Sequence, residues 1–366
     1  MITKHPLFWK EWKNSKWWSV LITGIFLVMF LAINSKLENI QRLINDVDIN
    51  SNRLYLESIT FFEGSFSNAL LVATLFIIPI VVIISTLLFR NDRKGNIGEF
   101  MGALPFTKGE QFKIKWLVGF LTLTIPFLIT SILTVLIRTA NWKWISDFYQ
   151  ESRVVEHDSL LVIMLILFQA YLFIMAFFSF LLMIQSLYAN NIGASIIGVI
   201  SLFAPWFIVE TGLVTLSRIL NRDIRILGHE RFTLFYSLMA PARDSIVVNN
   251  GRGYDIHMSI FASQYYWLKI AVLFLIIILS LYLGSKSYSK NENSKNGQLI
   301  MFEWARILLV IGFVICASLL GNTGIRVLFI RETNGIFEII TLLISGIAGY
   351  KLINKILSIP GGVKYD

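Results

Sequence analysis

Leu160–Leu187 reads LLVIMLILFQAYLFIMAFFSFLLMIQSL, and none of its residues carries a charge. A helix packed on a soluble core keeps a polar face for water, so its apolar residues recur only every three to four positions. Here they surround the axis, with Gln169 and Gln185 as the main polar groups. The run exceeds the roughly 20 residues that cross about 30 Å of hydrocarbon. A helix also satisfies its own backbone where no water can. The segment reads as a membrane-spanning helix.

Working outward, Trp17–Ile33, Leu70–Phe89, Leu117–Ile137 and Ile192–Val209 meet the same criterion. Tyr266–Gly284 makes a sixth span, with Lys269 near one end, where its long stem can reach the interface. Ile307–Leu320 and Ile336–Tyr350 are weaker, because apolar cores of about 15 residues are short for a span. The expected fold is an all-α polytopic membrane protein with six to eight transmembrane helices. Composition agrees: 55% of the 366 residues are hydrophobic, 15% are charged, and the mean hydropathy is +0.67. Soluble domains carry about 25% charged residues, so a water-soluble or disordered chain is excluded. A single cysteine, Cys316, excludes a disulfide framework.

Lysine sets the orientation, since inside loops carry the positive excess. With the N-terminus in the cytoplasm, fourteen lysines fall inside: 4, 10, 13, 16, 94, 108, 113, 115, 286, 290, 295, 351, 355 and 364. Only Lys36 and Lys143 fall outside. Both termini are expected in the cytoplasm. The net charge of +9 then describes a face lying on anionic lipid and calls for no nucleic acid. The expected location is a bacterial plasma membrane, with a first span that lacks a cleavage site.

Along the chain, residues 1–16 place Phe8, Trp9 and Trp12 within one arc at helical pitch. They read either as an amphipathic helix on the inner leaflet, with these three as interfacial anchors, or as a plain flanking anchor. Residues 17–284 hold the six-span domain, with an inside loop at 90–116 and an external segment at 211–264. In that segment Leu213, Leu216, Leu220, Ile224 and Leu227 suggest a surface helix, and Asn249–Gly253 a turn. A polar linker at 285–305, an extra pair of spans at 306–350 and a cytoplasmic tail at 351–366 complete the chain. Pro79, Pro126 and Pro205 stand inside spans, where each is expected to kink its helix.

Catalytic signatures are missing from the sequence. His5, His157, His229 and His257 are scattered, with no metal-ligand spacing. No HExxH, GxSxG or GxxxxGK[ST] pattern occurs. Ionisable groups deep in the spans look scarce, with Glu210 and Glu338 near span ends, which speaks against ion coupling. Any work the chain does is expected to draw on a partner's energy.

The distinctive stretch is 90–116, RNDRKGNIGEFMGALPFTKGEQFKIKW. Helix-compatible residues run from Ile97 to Leu104, and Pro105 ends them, because the residue before proline is pushed out of helical geometry. Phe100, Met101 and Leu104 offer an apolar face with Glu99 beside it. Such a helix can dock in a groove of another protein or lie on the inner leaflet.

This run resembles the first cytoplasmic loop of ABC-2 type transporter permeases. Asp92-Arg93, Gly95-Asn96, Glu99, Leu104-Pro105, Thr107-Lys108 and Lys115 stand in the family's order, although threonine often replaces Asn96. The N-terminal helix is similar to the family's connecting helix, and Ser237–Ser245 to its external serine-proline stretch. The resemblance implies a coupling helix that binds a separate ABC ATP-binding subunit through Arg93, Gly95, Glu99, Phe100, Met101, Leu104, Pro105 and Lys108. It further implies a homodimer or a heterodimer with a related permease, an exporter powered by ATP-Mg on the partner, and no ATPase site, cofactor or metal on this chain. The alternative is a non-transporting sensor or scaffold that binds a ligand or peptide through 211–264.

Overall fold

The computed structural model describes residues 6–46, 61–90, 106–151, 160–220, 244–249, 254–259, 266–290, 302–329 and 335–358. Among these, the helices are α1 (Pro6–Asp46), α2 (Phe61–Arg90), α3 (Lys108–Glu151), α4 (Leu160–Leu187), α5 (Asn191–Ile219), α6 (Tyr266–Ser289), α7 (Glu303–Phe329) and α8 (Gly335–Ser358). One hairpin, β1 (Asp244–Asn249) with β2 (Tyr254–Ser259), pairs antiparallel from Asp244↔Ser259 to Asn249↔Tyr254. Its strands flank the stretch expected to turn. Seven helices are long and apolar enough to cross a membrane, and α5 makes an eighth if its two arms form one bent span. The chain has the architecture of a polytopic helical membrane protein.

Several boundaries differ from the sequence reading. No break separates residues 6–16 from the first span: α1 is one helix of 41 residues, about 60 Å long at 1.5 Å per residue. Polar residues such as Asn34 and Glu38, bonded to each other at 2.8 Å one turn apart, continue the helix instead of ending it. Likewise α7 and α8 run for 27 and 24 residues, well beyond their apolar cores. Hydropathy reads side chains, whereas backbone hydrogen bonds carry a helix through Glu303, Asn322 and Arg326. The separate external helix expected from Leu213 is, as far as Ile219, the end of α5. There Thr215 and Ser217 are buried while Leu216 and Leu220 are uncovered by protein. That arrangement inverts a water-facing helix and suits lipid.

The prolines divide. Pro79 and Pro126 sit inside α2 and α3, which continue through them as single helices. α5 is bent into two arms, Asn191–Pro205 and Phe207–Ile219, at 40°. In α3, Thr130 donates its hydroxyl to the Pro126 carbonyl at 2.7 Å, and Thr122 and Thr134 bond the carbonyls four residues back at 2.8 Å. Buried hydroxyls thus spend themselves on their own helix, as membrane helices require.

The chain divides into two compact units. The first holds residues up to Ile84, Ile114–Phe178 and Ser237–Ile277. Its α1 buries Ile22, Phe26, Met29, Phe30, Ile33 and Leu37 along one stripe and leaves Trp17, Val20, Leu21, Val28 and Leu31 uncovered. Phe26 meets Phe127 edge-on at 4.9 Å, and Phe127 meets Tyr171 at 5.3 Å. Tyr171 and Thr124 share a hydroxyl bond of 2.8 Å. Where α3 crosses α4, a Cβ on Gly119 would fall 1.9 Å from the Phe178 ring. Gly119→Ala is therefore expected to destabilise the chain by about 1–3 kcal/mol through overpacking. Gly24→Ala, where nothing lies within 4 Å, should be neutral or slightly stabilising. Thermal unfolding of the two variants in detergent checks the contrast.

The second unit holds Ser85–Lys113, Ser179–Tyr236 and residues from Ile278 onward. Here α7 and α8 pack through small residues: Ala317, Ser318 and Gly321 meet Gly349, Gly346 and Ser345. The Ser318 hydroxyl donates across to the Leu342 carbonyl at 3.1 Å. Without a hydrophobic drive between helices in lipid, such close approach and interhelical bonding supply the attraction.

Candidate functional site: the base of the loop between α2 and α3

Arg93, Gly95, Glu99, Phe100, Met101, Leu104 and Pro105 lie outside the described residues. What the structure describes is the base that carries them. α2 ends at Arg90, and α3 begins at Lys108, the one coupling residue inside the described range. Thr107 caps α3: its backbone N–H and hydroxyl both donate to Glu110 Oε2, at 2.8 and 2.9 Å, and its Oγ1 accepts from the Glu110 N–H at 3.3 Å. This reciprocal capping box fixes where the chain re-enters a helix. Gln111 adds a bond from Nε2 to the Phe106 carbonyl at 3.3 Å. The sequence reading missed this cap, although the Thr-x-x-Glu spacing carries its signature.

Next to the cap, three rings close the base. Phe89 in the last turn of α2 meets Phe112 of α3 at 6.4 Å and Tyr288 of α6 at 5.5 Å, and Phe112 meets Tyr288 at 6.0 Å. Phe89 and Phe112 are essentially fully buried. Each such pair adds about 0.5–1.5 kcal/mol beyond burial. A Cβ on Gly284 of α6 would lie 2.5 Å from the Phe112 ring, so glycine there lets α6 close on the triad. The helices on either side of the loop are therefore clamped to each other and to α6. Nothing in the sequence linked Tyr288, nearly 180 residues from Phe112, to this base.

The α4–α5 elbow is built as tightly. Asn190 caps α5, its side-chain oxygen accepting from the N–H groups of Ile192 and Gly193 at 3.0 and 3.1 Å. Ile184, Leu187, Tyr188 and Ala194 form a buried cluster against Phe302 and Leu309. Burial pushes the Tyr188 phenol up to about 12, so it stays neutral throughout the physiological range. Gln185, fully buried, donates to Ser195 Oγ at 2.8 Å and to the Asn191 carbonyl at 3.1 Å.

Within the first unit, the expected anchors separate. Phe8 is buried and stacks on Trp12 at 6.2 Å, while Trp9, edge-on to Phe8 at 6.0 Å, is 57% exposed. Phe8 is thus packed against protein, Trp12 is half-buried and Trp9 is exposed. One turn away, Glu11 Oε1 lies 3.5 Å from Lys115 Nζ and 4.0 Å from Lys10 Nζ. Glu11 and Lys115 are both buried. The lysine that closes the sequence motif therefore ties α3 to α1.

Ionisable groups within or beside the expected spans are buried by protein. Lys269, expected to reach the interface, is buried. Arg138 is buried with its guanidinium 4.0 Å from the Trp142 ring. Glu338 is completely buried, accepting from Asn322 Nδ2 at 2.5 Å and lying 3.8 Å from Arg218. Thr341 in turn donates to Asn322 Oδ1. Lys269 and Glu338 stand in the first turn of α6 and α8, inside the expected spans, whereas Arg138 directly follows the expected third span and lies well before the end of α3. No cluster of metal-ligating side chains occurs among the described residues. Comparison with protein-family models, with curated proteins and with solved structures finds no match to this chain.

Proposed function

We propose that this chain is the membrane-spanning permease subunit of an ATP-driven exporter of the ABC-2 type, set in a bacterial plasma membrane with both termini in the cytoplasm. One observation supports this most: the loop carrying the family-like motif stands on a rigid base. A force applied to residues 91–105 enters α2 through Phe89 and α3 through the Thr107–Glu110 cap, and the ring triad passes it to α6. A loop resting passively on lipid needs no such clamp. In this reading the loop docks on a separate ATP-binding subunit, which holds ATP and Mg2+ and performs the hydrolysis. This chain pairs with a second permease, identical or related, and supplies the path.

The test is a pull-down of the tagged chain from native membranes. Wild type is expected to bring down an ATPase, whereas Glu99→Lys and deletion of Phe100–Leu104 each lose it. Retention of the ATPase by both variants overturns the docking assignment.

A further inference from the structure

The last turn of α2 makes a second connection that the ring triad does not use. Thr86, one turn before the chain leaves α2 at Arg90, has its Oγ1 2.6 Å from Ser195 Oγ in the second turn of α5. Ser195 Oγ is also 3.0 Å from the Asn191 carbonyl and accepts from Gln185 Nε2 at 2.8 Å. A hydroxyl has one proton and two lone pairs. The amide N–H of Gln185 takes one lone pair, and the serine proton goes either to the Asn191 carbonyl or to Thr86, since either hydroxyl of the Thr86–Ser195 pair can be the donor. Three helix ends, from α2, α4 and α5, thereby meet at one oxygen.

We infer that the Thr86–Ser195–Gln185 knot carries movement of the 91–105 loop into α5, with Ser195 as a positioning residue for the stroke. The inference rests on the ATPase-coupled reading above. Its physical basis is stiffness. Thr86 lies one helical turn from the loop, so a displacement of the loop reaches it through a single rigid turn. An O···O contact of 2.6 Å tolerates little stretching before it breaks. Moving α5 along with α2 is the alternative that keeps the bond. α5 is also the helix bent at Pro205, so displacement of its first arm changes its angle to the second at a point already weakened.

The experiment uses the complex in native membrane vesicles, with Cys316→Ser removing the native thiol and Leu216→Cys placing a reporter on the second arm of α5, where Leu216 is uncovered by protein. The probe is a maleimide, and its labelling rate is compared with and without ATP plus vanadate. The labelling rate is expected to change with nucleotide in the otherwise wild-type chain. Thr86→Val, which keeps the shape and removes the hydroxyl, is expected to lose that change while still bringing down the ATPase. Thr86→Ser is expected to restore it. Should Thr86→Val fail to fold, Ser195→Ala removes the shared oxygen instead and is read in the same way. A nucleotide response that survives loss of the hydroxyl, with the ATPase still bound, overturns the knot alone. Absence of any ATPase or nucleotide response in the parent chain overturns both the knot and the reading beneath it.

Discussion

Lys115→Met is expected to destabilise the chain by about 3–5 kcal/mol, the usual cost of removing one member of a buried ion pair. Methionine replaces most of the lysine stem, so lost packing is small and the charge is isolated as the cause. Glu11 is left buried with Lys10, 4.0 Å away on a side chain that is 38% exposed. An ion pair of that kind, largely screened by water, is worth about 0–1 kcal/mol and cannot replace Lys115. Glu11→Gln combined with Lys115→Met removes both charges and is expected to recover much of the loss, giving a favourable coupling energy in the double-mutant cycle. The measurement is the unfolding midpoint in detergent, followed with a thiol-reactive dye that reports exposure of Cys316, the single cysteine. If the two single effects simply add, the contact between α1 and α3 contributes nothing and the buried pair is incidental.

The pair also marks what the sequence could reveal. The spans are legible because a charge-free run such as Leu160–Leu187 admits one environment, and Ile163–Leu187 is the most buried of the seven single-helix spans among the described residues. The cap at Thr107 carries a local signature, since its partners lie three residues apart, although the sequence reading missed it. Contacts such as Glu11 with Lys115, Phe89 with Tyr288, or Thr86 with Ser195 join residues about a hundred or more positions apart. They depend on which faces the helices turn to one another, and hydropathy carries no such information.

Helix ends misled the reading for a related reason. Asn34, Glu38 and Asn322 are polar, so a window over side chains stops short of them. A helix stops only where its backbone loses its partners or meets a cap. α1 and α7 continue because side-chain bonds, Asn34 to Glu38 and Asn322 to Glu338, absorb the polar groups without breaking the backbone pattern.

The largest effect in the second unit is expected at Glu338. Its carboxylate is the acceptor for Asn322, which orients Thr341, so one acid organises the junction of α7 and α8 and faces Arg218 of α5. Glu338→Leu is expected to cost about 3–5 kcal/mol, since it strands a buried amide and a cation together. Glu338→Gln keeps an acceptor oxygen but loses the charge, and should cost about 1–3 kcal/mol. Arg218→Gln should cost least, about 0–1 kcal/mol, because the guanidinium is 35% exposed and already shares its charge with solvent. That ranking separates two ways the cluster could hold. If the interhelical hydrogen bond to Asn322 dominates, the order is Leu, then Gln, then the arginine variant. If the ion pair dominates, Arg218→Gln falls as far as Glu338→Leu, and Glu338→Gln falls with them. Thermal unfolding midpoints of the three variants and the parent chain in detergent read the outcome. The bond geometry favours the first order: 2.5 Å to Asn322 against 3.8 Å to Arg218.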